Sequence, residues 1–125
     1  MMRPLNALES EWIKKILAVD FKGKKILQQQ VSLSLVTSKN YDSVVSILFD
    51  VCKSASKFPY AERVPIEMRA FQKDRNPILF LIHVVGGYIC ELEVLTADSS
   101  KIQVGEIRID SIEHVISDTL MFEEQ

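Results

Sequence analysis

The sequence predicts an α+β fold: an antiparallel meander of about five strands, with an N-terminal helix and a short second helix packed on one face. Three observations support this class. The longest apolar run, Ile78 to Val85, is followed at once by Gly86–Gly87 and then by an alternating segment, Tyr88 to Leu95. Two glycines between strand-like runs predict a tight hairpin, because type I′ and II′ turns need positive φ. A helical apolar period precedes the strands, and a second one begins at Asp110.

Length and composition are those of one globular domain over residues 1–125. The chain is 47% hydrophobic and 26% charged, and a chain of this length buries about two thirds of its unfolded surface. No apolar run reaches the roughly 18 residues of a membrane helix, and the N-terminus lacks the apolar region of a signal peptide. Cys52 and Cys90 show no metal-like spacing and predict free thiols. We therefore expect a cytoplasmic protein without metal or cofactor.

The N-terminal segment predicts a helix over residues 7–20. Asn6 and Glu9 form a capping-box pattern. Apolar residues recur behind it at helical spacing, at Leu8, Trp12, Ile16 and Val19. We expect Trp12 and Ile16 to be the main anchors of this helix on the sheet.

A shorter helix and a hairpin follow. Lys24 to Gln30 predicts the helix. The alternation of Val31, Leu33 and Leu35 with serines predicts a half-buried strand, and residues 38–42 read as a loop. The alternating residues of the second strand are Val45, Ile47, Phe49 and Val51.

Two less regular segments flank the central strands. Residues 52–63 form a long connection, in which Phe58 and Tyr60 either anchor the chain to the core or contact a partner. After the central strands, Ile102 and Val104 predict a short edge strand.

The C-terminal region predicts a short helix. Its apolar residues recur at helical spacing, at Ile112, Val115, Ile116 and Leu120. Asp110 and Glu113 form a cap-like pair at its start. A strand through Ile107 and Ile109 is the alternative for the beginning of this region.

The two-glycine loop determines which side chains share a face of the central hairpin. It places His83 opposite Cys90 and Leu81 opposite Leu92. We expect this nearly all-apolar face to be the core on which the helices pack. The other face then carries Phe80, Ile82, Glu91 and Glu93.

Val64 to Gln72 predicts a further strand, joined to the central hairpin through residues 73–76. A four-residue loop places Met68 on the core face, whereas a five-residue loop turns Glu67 and Arg69 inward. A one-residue slip reverses every side chain, so the hydrophobic pattern favours the four-residue loop. The outward face is then an apolar ridge with charged neighbours: Phe80 and Ile82 beside Glu67, Arg69, Glu91 and Glu93.

Residues suited to catalysis are few. A pair of His83 and Cys90 is geometrically conceivable, without an evident third group; the alternative is a buried histidine beside a buried thiol. The glutamates of the outward face form either an acid/base or cation-binding set, or a solvated or partner-facing surface. Lys22–Lys25 either holds a phosphate at a helix start or is solvated.

The run from Leu79 to Val94, after an N-terminal helix and Asp20–Gly23, resembles small bacterial domains that share a hairpin similar to LLHV-x-G-x-L-x-ELE. Gly86 replaces what is often an acidic or polar turn residue there, which leaves the turn intact. The size and α+β plan also look like immunity proteins of contact-dependent bacterial toxin systems. This resemblance implies a non-catalytic protein that binds and blocks one cognate toxin domain, often a nuclease.

The charge distribution agrees with a basic protein partner. Residues 104–125 carry a net charge of −5, against +3 for residues 1–103; the alternative is that this acidic end is simply solvated. We expect neither nucleic acid nor membrane as partner. A small-molecule-binding or enzymatic domain with a pocket near His83 and Tyr88 is the alternative function. The candidate partner-binding residues are Glu67, Arg69, Phe80, Ile82, Glu91, Glu93, Asp110, Glu113 and Asp118.

Overall fold

The computed structural model describes residues 1–122, and this part of the chain forms two helices and one six-stranded antiparallel sheet. The helices are α1 (Ala7–Ile16) and α2 (Lys24–Ser32). The strands are β1 (Ser34–Asn40), β2 (Val44–Val51), β3 (Ile66–Gln72), β4 (Arg75–Val85), β5 (Tyr88–Thr96) and β6 (Ser111–Ile116). They lie in the order β1-β2-β5-β4-β3-β6. The α+β class is confirmed, with six strands instead of about five. Within the described residues, neither helix has the length and apolar character that crossing a membrane requires.

Helix α1 begins with the expected capping box. The Asn6 side chain accepts from the Glu9 amide at 2.8 Å, and the Glu9 carboxylate accepts from the Asn6 amide at 2.9 Å. The helix ends at Ile16, one turn earlier than expected. Trp12 and Ile16 are only 3% and 0% exposed, and Trp12 packs edge-on against Phe80. Both expected anchors are therefore confirmed.

The boundary between α2 and β1 lies later in the chain than expected. Val31 belongs to the helix and Leu33 forms its C-cap, so neither is part of a strand. In β1 it is Val36 that is buried, whereas Leu35 is exposed. The hairpin of β1 and β2 is confirmed.

The turn between β4 and β5 has the expected two-glycine loop, but a β-bulge follows it. Val85 pairs with Tyr88 as expected. Cys90 is then the extra residue of β5, so His83 pairs with Glu91 rather than with Cys90. A bulge shifts the register by one residue and changes which side chains share a face. The buried residues of β4 are Ile78, Phe80, Ile82 and Val84.

The face of β4 that packs against the helices is therefore the opposite of the one we expected. Phe80 and Ile82 are 0% exposed, whereas Leu79 and Leu81 are half-buried on the far side of the sheet. Both faces of β4 are apolar, so the hydrophobic alternation alone could not distinguish them.

The turn between β3 and β4 is also shorter than the four-residue loop that we expected. Gln72 pairs with Arg75, which leaves Lys73–Asp74 as the loop. The register shifts before Ile78, in the part of β4 that contains Pro77. Proline has no N–H for the ladder, and bulges are where proline is tolerated in a sheet. The core-facing residues of β3 are Ile66, Met68 and Ala70, as expected.

The C-terminal region forms an edge strand, so the prediction of a short helix with Asp110 and Glu113 at its start is wrong. Strand β6 pairs antiparallel with β3, from Ile66 opposite Ile116 to Phe71 opposite Ser111. The unpaired edge of β3 supplies hydrogen bonds that outweigh the local helical pattern. The expected strand at residues 102–104 is absent from the described residues, where a 3₁₀ turn begins at Val104.

The long connection, residues 52–63, is attached to α2 and to the central turn by one buried side chain. Gln30 donates through Nε2 to the carbonyls of Ser56 (2.8 Å) and Gly87 (2.9 Å). Its Oε1 accepts from the Ile89 amide at 2.8 Å. All of these groups are thereby paired, as buried polar groups must be.

Phe58 anchors the same connection to the core, and Tyr60 remains exposed beside it. Their rings meet edge-on at 5.3 Å between centroids. Phe58 lies directly over Gly23, which has a φ of +89° and caps α2. The close approach of the Phe58 ring explains why a residue without a side chain stands at this position.

Candidate functional site

The two helices lie on one face of the sheet. Trp12 of α1 reaches Phe80 on this face, and Gln30 of α2 reaches the turn at Gly87. Within residues 1–122, no helix lies on the opposite face, which is here termed the open face. Its central strand residues are Val44, Ser46, Leu48, Glu67, Arg69, Leu79, Leu81, His83, Glu91, Glu93 and Leu95.

Cross-strand pairing arranges the open face in rows. One row consists of Lys39, Ser46, Glu93, Leu81, Glu67 and Val115. The adjacent row consists of Val44, Leu95, Leu79, Arg69 and Glu113. Four neighbouring aliphatic side chains, all half-buried, form what is here termed the aliphatic strip: Val44, Leu79, Leu81 and Leu95.

Two glutamates of β5 border the aliphatic strip, and each is held by one hydrogen bond. The Ser46 hydroxyl donates to Glu91 at 2.5 Å. His83 Nε2 lies 3.0 Å from Glu93 Oε1 and donates to it, since a carboxylate only accepts. The His83 and Glu93 side chains are 15% and 31% exposed. These bonds fix both carboxylates in place on the open face.

The side chain of Arg69 connects β3 with β6 on the open face. Arg69 Nε lies 3.0 Å from Glu67, and Arg69 Nη1 lies 3.6 Å from Glu113. Glu113 therefore belongs to the same face as Glu67. The two surfaces that the sequence suggested separately, the glutamate face and the acidic C-terminal end, meet at this arginine.

The open face is acidic overall. Its strand residues include five carboxylates, at Asp50, Glu67, Glu91, Glu93 and Glu113. Against them stand Lys39 and Arg69. Such an excess gives the surface a negative potential that attracts basic groups. Glu123 and Glu124, which belong to the acidic C-terminal end of the sequence, lie outside the described residues.

The structure brings five of the nine candidate partner-binding residues together on the open face: Glu67, Arg69, Glu91, Glu93 and Glu113. Phe80 and Ile82 are buried under the helices and cannot touch a partner. Leu79 and Leu81 lie on the open face, where we expected Phe80 and Ile82. Asp110 precedes β6 and Asp118 follows it, and both are exposed. We missed the aliphatic strip because we assigned its β4 residues to the core.

The groups considered for catalysis do not form a nucleophile–base pair. Cys90 Sγ lies 3.5 Å from the backbone carbonyl of His83, while the His83 ring is bonded to Glu93. Both cysteines are free. Among the described residues, no three histidine, cysteine or acidic side chains are grouped so that they could hold a metal ion.

Several depressions of the surface lie away from the pocket that we considered near His83 and Tyr88. Five cavities of about 130 to 440 Å³ lie in the described part of the chain, and neither residue lines any of these five. Lys53 Nζ instead lies 4.5 Å from the centre of the Tyr88 ring. At Lys22–Lys25, Lys24 is paired with Asp20 at 3.3 Å.

Comparison of the chain with protein-family models, with curated proteins and with solved structures finds no match. The fold and site define a small two-layer α+β domain with one open, acidic and partly aliphatic sheet face.

Proposed function

We propose that this protein is a non-catalytic protein-binding module that uses the open face of its sheet. Its concrete form is an immunity protein that acts in the cytoplasm by blocking a basic toxin domain. The observation that supports the proposal best is the aliphatic strip, Val44, Leu79, Leu81 and Leu95, on a sheet face without a covering helix among the described residues.

The aliphatic strip is unusual for the outer face of an antiparallel sheet. Such faces normally alternate with the core and carry polar residues toward water. An apolar patch bordered by polar residues is typical of an interaction site. Leu79 and Leu81 lie at the centre of the patch, with Glu67 and Glu93 on either side of Leu81. This is the arrangement of an interface: an apolar centre and a charged rim.

The acidic charge of the rim supports the proposal of a basic partner. An acidic rim accelerates association with a basic surface and disfavours acidic ones. A nuclease must attract phosphate groups, so the surface around its active site tends to be basic. The toxin assignment itself comes from the resemblance of the sequence to immunity proteins, and the acidic rim is what such an inhibitor would need.

The proposal is tested by capture and calorimetry. The tagged chain is incubated with a lysate of its source organism, bound proteins are identified, and the recovered partner is titrated at low and high salt. The test variant carries Glu91→Lys and Glu93→Lys. The control carries Glu11→Lys and Asp20→Lys, which make the same change in net charge on the helical side, at two exposed positions.

We expect the test variant to weaken binding at least about tenfold at low salt, and less at high salt, because salt screens rim charges. The control variant should bind like the wild type. Equal weakening by both variants would show that the open face is not the interface. Stoichiometric binding of a small metabolite without any protein partner would favour the alternative function.

A further inference from the structure

The two edges of the sheet differ in how they are covered. At the β1 edge the N-terminal segment adds a short bridge: the Arg3 amide donates to the Val36 carbonyl at 2.8 Å, and the Val36 amide donates to Arg3 at 2.6 Å. At the opposite edge, β6 pairs with β3 on its inner side only, and no described residue pairs with its outer side. An unpaired edge strand is a template for another strand, and proteins usually protect it.

The ladder between β3 and β6 shows which backbone groups face outward. The Ser117 amide donates to the Pro65 carbonyl at 3.3 Å, in register with Ile66 opposite Ile116. Residues of an antiparallel strand alternate between bonding to the neighbour and pointing away from it. Ser111, Glu113 and Val115 therefore bond to β3, in phase with Ser117. The remaining residues present their N–H and C=O groups to the outside: Ile112, His114 and Ile116.

We propose that the outer edge of β6 pairs with an extended basic segment of the partner protein, which becomes a seventh strand of the sheet. This inference rests on the proposed function, since it names a second contact with the same partner. Six residues of β6 span about 20 Å, the length of an ordinary strand. Backbone pairing with an exposed edge is a recurring mode of peptide recognition.

Charge determines which strand fits this edge. Asp110, Glu113 and Asp118 are exposed along β6 and at its ends. A second copy of this chain is disfavoured in the two antiparallel registers in which β6 overlaps most with itself, because like charges would face each other. Antiparallel pairing centred on His114 would set Asp110 opposite Asp118 of the second copy, and pairing centred on Glu113 would set that residue opposite itself. A partner strand that carries lysine or arginine avoids both of these like-charge contacts.

The edge is continuous with the open face. Val115 and Glu113 of β6 occupy the ends of the two rows that contain Leu81 and Leu79. Successive side chains of a strand point to opposite faces, so half of those on an added strand would extend the open face. One partner can therefore contact the aliphatic strip and the edge together.

The first experiment uses amide hydrogen exchange measured by NMR, with a defined probe. The probe is a peptide of about eight residues in which lysine and valine alternate. One control peptide is N-methylated at every amide, which keeps the charge and removes the donors. In the other, glutamate replaces lysine.

With the basic peptide in excess, exchange should slow about tenfold at the amides of Ile112, His114 and Ile116, since these acquire a partner. The amides of Glu113 and Val115, already bonded to β3, should change much less. Neither control peptide should reproduce the effect. Unchanged exchange at the three outer amides, or equal slowing by the N-methylated peptide, would overturn the proposal.

A matched pair of variants separates this inference from the proposed function. The Ile112 amide faces outward, so Ile112→Pro removes a free donor without removing a bond to β3. Ile112→Thr keeps the donor. We expect affinity for the basic peptide and the recovered partner to fall about tenfold for the proline variant and little for the threonine variant.

If the variant with Glu91→Lys and Glu93→Lys binds the partner more weakly and Ile112→Pro does not, the edge contact is overturned. The open face then remains the proposed interface. If the peptide protects the edge amides and no protein partner binds the open face, the proposed function fails and the edge contact stands. The hydrogen-exchange experiment on the unmodified chain tests the edge contact even if the Ile112→Pro variant does not fold.

Discussion

Trp12 and Phe80 meet edge to face, with ring centroids 5.4 Å apart and an interplanar angle of 62°. This contact joins α1 to β4 in the middle of the sheet. Such aromatic pairs stabilise a fold beyond the area that they bury, by about 0.5 to 1.5 kcal/mol. The contact also shows which face of β4 belongs to the core, since Phe80 lies on it and Leu81 does not.

Trp12→Ala should lower the free energy of unfolding by about 3 to 5 kcal/mol, because it removes a buried ring and leaves a cavity. Leu8→Ala is the control on the same helix, since Leu8 is 43% exposed. Urea denaturation followed by circular dichroism measures both. Equal midpoints for the two variants would show that α1 does not pack as described.

Ile82→Thr and Leu81→Thr test the assignment of the two faces of β4. Ile82 is fully buried, so a hydroxyl there should cost about 2 to 4 kcal/mol of stability. Leu81 lies on the open face, and threonine suits a strand, so that variant should lose less than about 1 kcal/mol. Thermal or chemical denaturation decides between them. A larger loss at Leu81 would reinstate the register that the sequence suggested.

Gly23→Ala and Gly86→Ala separate backbone strain from steric overlap. Both glycines have positive φ, at +89° and +61°, so alanine should cost about 1 to 2 kcal/mol at each. A Cβ at Gly23 would also overlap the Phe58 ring, while a Cβ at Gly86 meets nothing within 4 Å. We therefore expect Gly23→Ala to lose about 1 to 3 kcal/mol more. Equal losses in denaturation would contradict the close packing of Phe58 on α2.

Glu9 should make stability depend on pH in the acid range. The Arg3 guanidinium bonds to both Glu9 oxygens, at 2.7 and 2.8 Å, and holds the pKa of this carboxyl below its ordinary value, helped by the Asn6 amide. A lowered folded pKa stabilises the protein fully above the unfolded value of about 4.3, and this stabilisation is lost as pH falls through the folded value.

Glu9→Gln should therefore lose about 1 to 3 kcal/mol near neutral pH, and its stability should fall less steeply than that of the wild type as the solution is acidified. Glu11→Gln is the matched control, because Glu11 is exposed on the same helix. Denaturation midpoints across the acid range measure the effect. Parallel pH curves for wild type and Glu9→Gln would refute the assignment.

Local patterns in the sequence predicted local structure well. The capping box of Asn6 and Glu9 and the two-glycine turn were recognised from residue types alone, because each depends on a few adjacent residues. The burial of Trp12 and Ile16 followed from helical spacing. The outward orientation of the charged residues followed from strand alternation: Glu67, Arg69, Glu91 and Glu93.

The errors arose where non-local pairing decides the structure. Two register shifts, one near Pro77 and one at Cys90, reverse the face of β4 relative to its neighbours. An apolar residue at almost every position of β4 concealed this reversal. The presence of His83 on only one of the two faces was the available signal. In β6, Ile112 and Val115 fit a helical period, and only the free edge of β3 explains their strand conformation.

The sheet contains two units made of sequence neighbours, the hairpin β1–β2 and the meander β3–β4–β5, and β6 is added at the edge of β3. Each unit closes through short turns, and such hairpins form within microseconds. The ladder between β2 and β5 joins residues that are more than a third of the chain apart, so closing it costs more loop entropy than closing the hairpin turns. The Ser46–Glu91 hydrogen bond connects β2 with β5, the two strands at which these units meet. We therefore expect replacement of Glu91 to slow folding, in addition to the loss of binding expected from the proposed function.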